Sequence, residues 1–151
     1  MMYLTILTLH SWVRWLALIT GVLALASGMR ARRAGWTAAD DRAGFWFVMM
    51  LDLQALIGLL LYVWLSPITH QAFRDIGAAM KSSALRFWAV EHIFGMLVAL
   101  ALAHVGRVRL RKADPSRRGR VAVIFFGLAL VAILASIPWP GMPNARPLVR
   151  W

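Results

Sequence analysis

Apolar residues dominate this chain in four long stretches, and the charged residues collect in the short segments between them. The stretches cover residues 3–28, 43–65, 85–106 and 121–137. A helix crosses the hydrocarbon core of a bilayer with about 20 apolar residues. The pattern therefore predicts an all-α integral membrane protein, with residues 1–151 forming one four-helix bundle of up-down antiparallel topology. Ser66–Pro67 closes the second span, because proline has no N–H for the helical ladder and restrains the residue before it. The segment Ile68–Ala84 is read as a loop containing a short amphipathic helix on the membrane surface. No basic residue precedes the first stretch, which is also longer than the core of a signal peptide, so it is expected to remain as a span.

Charge sets the orientation. Arg30, Arg32, Arg33 and Arg42 lie in the first connection, and seven basic residues from Arg107 to Arg120 fill the third. Positive loops stay on the cytoplasmic side, which predicts loops 29–42 and 107–120 inside and both termini outside, in the inner membrane of a bacterium. The Pro- and Trp-rich tail after Ile137 then sits at the outer interface, with its indoles at headgroup level.

Composition narrows the function classes. The chain is 61% hydrophobic with a formal charge of +11. Its basic residues alternate with membrane spans, so they read as topology signals and not as a nucleic-acid surface. Its expected partners are the lipid bilayer and other membrane-protein subunits. There is no cysteine, which removes disulfides, thiolate metal sites, iron–sulfur clusters and covalent c-type haem. Any cofactor must be held by His, Met or carboxylate.

The polar residues inside the spans are the candidates. His10, Arg14, Ala17, Gly21, Ala24 and Gly28 share one helical face, and small residues of this kind let helices approach closely in lipid. The second span carries Asp52 and Gln54, and the third carries Glu91, His92 and His104. Counting about 1.5 Å per residue from the outer end puts His10 and His92 at matched depth, roughly 9 to 11 Å, with Arg14 and Glu91 near that layer. Two imidazoles at one level on facing helices are what a b-type haem needs as axial ligands. Gly95, Ala99, Ala17 and Gly21 are expected to leave room for the macrocycle. Glu91 and Gln54 are candidate partners for the second ring nitrogen, and Arg86, Lys81, Arg74 and Arg146 are candidate partners for the propionates.

Three other readings compete. In a structural clamp, Arg14 pairs with Glu91 or Asp52 and the histidines complete the hydrogen bonds. A proton relay runs through Asp52, Glu91 and His104. A cofactor-free accessory subunit packs its helices and tail against a larger complex. His70 reads as a solvated loop residue. His104, near the inner end of its span, reads as a partner of the helix dipole.

The segments LHSWVRW, LDLQALIGLLLYVWLSP, DIGAAMKSSALRFWAVEH, ALAHVGR and SIPWP resemble those of small bacterial four-span membrane proteins labelled cytochrome b-like. The resemblance covers most of the chain outside the two basic loops. It implies haem b and one-electron transfer in a respiratory or photosynthetic complex, an electron-transfer or accessory role in place of stand-alone catalysis. Carried over by position, the recurring polar residues are His10, Arg14, Gln54, Lys81, Arg86, Glu91, His92 and His104. The pattern places histidine where this chain has Asp52, so the resemblance leaves His10 and His92 as the ligand pair.

Overall fold

The computed structural model describes residues 1–149. Four of its helical segments are long and apolar enough to cross a membrane: Met2–Ala34, Ala38–Leu65, Ser83–Lys112 and Pro115–Ser136. We number the α-helices α1 (Met2–Ala34), α2 (Ala38–Leu60), α3 (Pro67–Arg74), α4 (Ile76–Lys81), α5 (Ser83–Arg86), α6 (His92–Lys112) and α7 (Pro115–Ser136). Around the bundle α1 packs on α2 and α7, and α6 packs on α7 and, more loosely, on α2.

The spans are longer than the apolar runs that announce them. Helix α1 continues through its arginines to Ala34 and stops at Gly35, whose φ of +81° suits a residue without a Cβ. Thr37 and Asp40 then form a capping box that starts α2 at Ala38, five residues before the apolar run. Helix α6 likewise runs past Gly106 to Lys112, and α7 begins at Pro115. Paired charges sustain these extensions. Buried Arg107 donates to both oxygens of Asp41, at 2.7 and 3.1 Å, and Arg30 pairs with the buried carboxylate of Asp40.

Residues 68–84 form three short helices and not a loop with one. Ser66, Asp75 and Ser82 each accept a hydrogen bond from the backbone N–H three residues on, so each start is capped by its own side chain. Two π-helical turns, Leu61–Leu65 and Phe87–Glu91, flank this segment. They are tied together: the Tyr62 hydroxyl in one donates to the Ala89 carbonyl in the other at 2.7 Å. Thr69 Oγ1 donates to the Tyr62 carbonyl, so that acceptor is also satisfied. Such turns recur where a helix must re-aim its side chains, and the second one ends immediately before His92.

Burial follows membrane logic. The inward faces are small, with Ala17, Ala24, Ala99, Ala103, Ala122 and Ala129 all buried, while large residues such as Leu16, Ile19, Leu56, Phe94 and Val131 are exposed. Lipid is as apolar as leucine, so association gains little from hiding large side chains and much from close backbone approach. At the centre the fully buried rings of Phe47 and Phe126 meet edge to face at 5.5 Å. Gly21 lies against Leu130 and Phe47, and Gly28 against Ala122 and Val123. These glycines therefore serve helix packing. Gly95 does the same, because a Cβ there would overlap Ser136 Oγ. The room expected beside Gly21 and Gly95 for a macrocycle is filled by α7 and Phe47.

Candidate functional site

The open space lies elsewhere, between α2 and α6. Because these two helices touch least among the neighbouring spans, a cavity of about 470 Å³ forms between them, lined also by Tyr3, Leu7 and His10 of α1 and by Ser66 and Thr69. Both His10 and His92 line it, with Gln54, Asp52, Trp88 and Arg146. Its volume falls in the range of about 300–1,000 Å³ typical of small-molecule and cofactor sites. A second void behind the two histidines, lined by Arg14 and Arg146, is only about 50 Å³.

The two imidazoles lie edge to face, with ring centroids 6.4 Å apart and planes at 68°. His92 follows the π-helical turn, and its Nδ1–H donates to the Ser136 carbonyl of α7 at 2.7 Å. A carbonyl can only accept, so this bond fixes the tautomer and leaves Nε2 as the lone-pair nitrogen. Phe87 and Trp88 pack against the ring, with centroids at 5.8 and 5.6 Å. His92 thus has the kind of outer partner that a metal-ligating histidine has.

His10 is held differently. Its Nε2 lies 3.0 Å from Gln54 Nε2 of α2, and Gly58 gives it room, since a Cβ there would stand 3.1 Å from His10 Cε1. Its Nδ1 and the Oε1 of Gln54 are buried with no hydrogen-bond partner among the described residues. Rotating the amide changes which amide atom bonds the ring, and His10 Nδ1 stays without a partner either way. Buried polar atoms left unpaired are destabilising, so the site is incomplete as the protein alone.

The remaining candidates divide between this site and the surface. Arg14 donates to the Leu148 carbonyl, as does Trp15 Nε1 at 2.9 Å, which straps the C-terminal segment over this end of α1. Arg146 stacks over Trp88 at 5.2 Å and lines both voids. Glu91 instead accepts from Arg86 Nε at 2.6 Å on an exposed surface, and Arg86 also donates to the Met80 carbonyl. Neither Glu91 nor Arg86 lines the cavity, and the partner role expected for Glu91 is taken by a backbone carbonyl. His70 lies exposed, bonded to the Val63 carbonyl. His104 bonds Asp52 across the α2–α6 gap at 2.7 Å, a pairing hidden from a count of depths. The clamp expected for Arg14 is thus replaced by two separate pairs, Asp52 with His104 and Glu91 with Arg86.

The spacing of the two imidazoles is one respect in which the donor set suits a haem iron. Two metal–nitrogen bonds of about 2 Å, with roughly 1 Å more from each nitrogen to its ring centre, require centroids about 6 Å apart. The observed 6.4 Å agrees. The exception is the Gln54 amide on His10 Nε2, which must release the ring or leave Nδ1 as the ligating atom. Comparison of the chain with protein families, with curated proteins and with solved structures gives no match.

Proposed function

We propose that this protein is an integral-membrane b-type haem protein that carries one electron at a time, with His10 and His92 as the axial ligands. The observation that carries the reading is the pair of imidazoles with centroids 6.4 Å apart, both lining a cofactor-sized cavity. Bound there, haem would supply a reversible one-electron couple. The chain's own residues do the rest. The Ser136 carbonyl orients His92 and fixes its tautomer. Gln54 positions His10. Arg146, and Arg14 behind the rings, place guanidinium charge where carboxylates of a bound ligand would be stabilised. Leu7, Leu51 and Met96 exclude water from the site.

The resemblance to cytochrome b-like membrane proteins points the same way. The links between α1 and α2, residues 35–37, and between α6 and α7, residues 113–114, are too short to recross a bilayer, which supports the up-down arrangement. Their basic flanks favour the cytoplasmic side, with both termini outside in a bacterial inner membrane. The protein would work beside the subunits of a respiratory or photosynthetic complex.

A second reading, a cofactor-free accessory subunit, draws on the Gln54–His10 bond, which holds that ring without a metal. The proton-relay reading has less support, because Glu91 is engaged with Arg86 at the surface. Titrating the purified chain in mild detergent with hemin separates the first two. Haem binding gives a saturable Soret absorbance at one equivalent that His10→Ala and His92→Ala each abolish. No saturable absorbance supports the accessory subunit, whereas variants that bind as the parent does overturn the ligand assignment.

A further inference from the structure

Asp52 and His104 form an ionisable pair on the lipid-facing side of the α2–α6 gap. Asp52 lies near the midpoint of the Ala38–Leu65 span. His104 Nε2 meets its Oδ1 at 2.7 Å, so the two side chains share one depth. They keep 37% and 51% of their surface exposed, and neither has another hydrogen-bond partner among the described residues. On a membrane-spanning helix that surface meets hydrocarbon, where ionisable groups are costly and polar atoms need partners.

What the pair offers does not depend on where its proton sits. The forms without net charge are carboxylate with imidazolium and carboxylic acid with imidazole, and lipid favours these over a charged pair. In each of them the contact between the two residues uses Asp52 Oδ1 and His104 Nε2. Of the atoms left over, Asp52 Oδ2 and His104 Nδ1, one donates and the other accepts. A donor and an acceptor therefore stand side by side at one level.

Such a pair is complementary to its own copy. Copies of one chain insert with one orientation, so a twofold axis relating two of them runs along the membrane normal and preserves depth. The half-turn exchanges left for right. It brings Asp52 opposite the partner's His104 and His104 opposite the partner's Asp52, so both cross-contacts run from donor to acceptor. The surroundings suit a helical partner. Phe45, Met49, Leu56 and Leu59 on α2 are exposed, as are Phe94, Leu97, Ala101 and Val108 on α6. Together with Asp52 and His104 they follow the alternating three- and four-residue spacing of a helix seam, inside which one polar residue sets register and partner number. Leu56, Leu59 and Leu97 also line the cavity between α2 and α6, so the cavity opens on this face and a second copy would cover it.

We infer that this protein forms a twofold dimer through its α2–α6 face, in which the two Asp52–His104 pairs hydrogen-bond to each other. A twofold dimer with one self-complementary patch is also the commonest form of assembly. The contact needs no haem, so a protein that takes up none leaves this inference standing.

The test uses the full chain in liposomes, where the lack of native cysteine lets single ones be placed. Leu56→Cys and Leu97→Cys should each give a disulfide-linked dimer on mild oxidation. Val131→Cys on α7 and Leu16→Cys on α1, at positions also open to lipid, should not. Förster transfer between labelled copies should show a dimer whose dissociation constant rises at least tenfold when Asp52→Leu and His104→Leu are combined. That double variant puts apolar side chains where lipid would meet them and should keep the helical circular dichroism, and the cysteine scan tests the interface without it. A parent that is monomeric in liposomes overturns the inference and leaves the face to a different subunit. A dimer indifferent to the double substitution overturns it too, as do cross-links as abundant at Val131 and Leu16 as at Leu56 and Leu97.

Discussion

Replacing Gly95 by alanine probes how helix packing sets the candidate site. Gly95 lies one turn after His92 on α6, and a Cβ there would overlap Ser136 Oγ and stand 3.1 Å from Ser136 Cβ. That hydroxyl is held by the Ala132 carbonyl at 2.8 Å. It can yield only by giving up this bond, and the Cβ contact persists until α7 moves a few tenths of an ångström from α6. Overpacking on this scale costs about 1–3 kcal/mol, which lowers the melting temperature by about 2–4 °C per kcal/mol in a chain of this length. The same displacement pulls the Ser136 carbonyl away from His92 Nδ1. Loss of such an outer partner weakens metal binding about 10- to 100-fold. Thermal unfolding in detergent, followed by circular dichroism, reads the first effect, and hemin titration reads the second. Adding Ser136→Ala removes the overlapping oxygen and should restore most of both. A Gly95→Ala protein that melts and binds as the parent does, or a double variant no better than the single one, refutes this account of the packing.

Other consequences are more local. Gly119→Ala should destabilise by about 2 kcal/mol or more, because its Cβ would meet the α1 backbone at Arg32 N and Gly28 O, at 2.8 and 2.9 Å. Gly127→Ala, with nothing nearer than Leu25 Cδ1 at 3.7 Å, should be neutral or slightly stabilising, and paired melting curves check both. Arg107→Met should cost about 1–3 kcal/mol, less than a fully buried pair, since the Asp41 left behind is 51% exposed and can be hydrated. High salt should not reproduce that loss, because Arg107 is buried against its partner. Tyr62→Phe removes the bond between the two π-helical turns. It should cost about 1 kcal/mol and speed backbone amide exchange at residues 87–91, measured by mass spectrometry.

The spans were legible because an apolar run of bilayer length has few other folds open to it. Their ends were not, because Arg30–Ala34 and Arg107–Lys112 are charged yet helix-forming, and pairs such as Arg107 with Asp41 hold them to the bundle. The three capped starts at Ser66, Asp75 and Ser82 were visible as residue types, but whether one helix or three would result depended on the turns between them. The level shared by His10 and His92 could be counted from the chain, and the 6.4 Å between their ring centroids agrees with that count. The fate of the small residues could not. A glycine stripe marks close approach, and only the tertiary structure shows that Ser136, Leu130 and Ala122 do the approaching. Asp52 and His104 escaped for a related reason. Ending the third span at Gly106 placed His104 at a helix terminus, whereas α6 continues to Lys112 and carries it opposite the second span.

The most direct test of the central claim is the visible absorption spectrum of the protein purified from membranes in mild detergent, before and after dithionite. A haem held by His10 and His92 gives a Soret band that shifts on reduction and is missing from the His10→Ala and His92→Ala proteins. A colourless parent that stays colourless after hemin is supplied, or a Soret band that survives both substitutions, contradicts it.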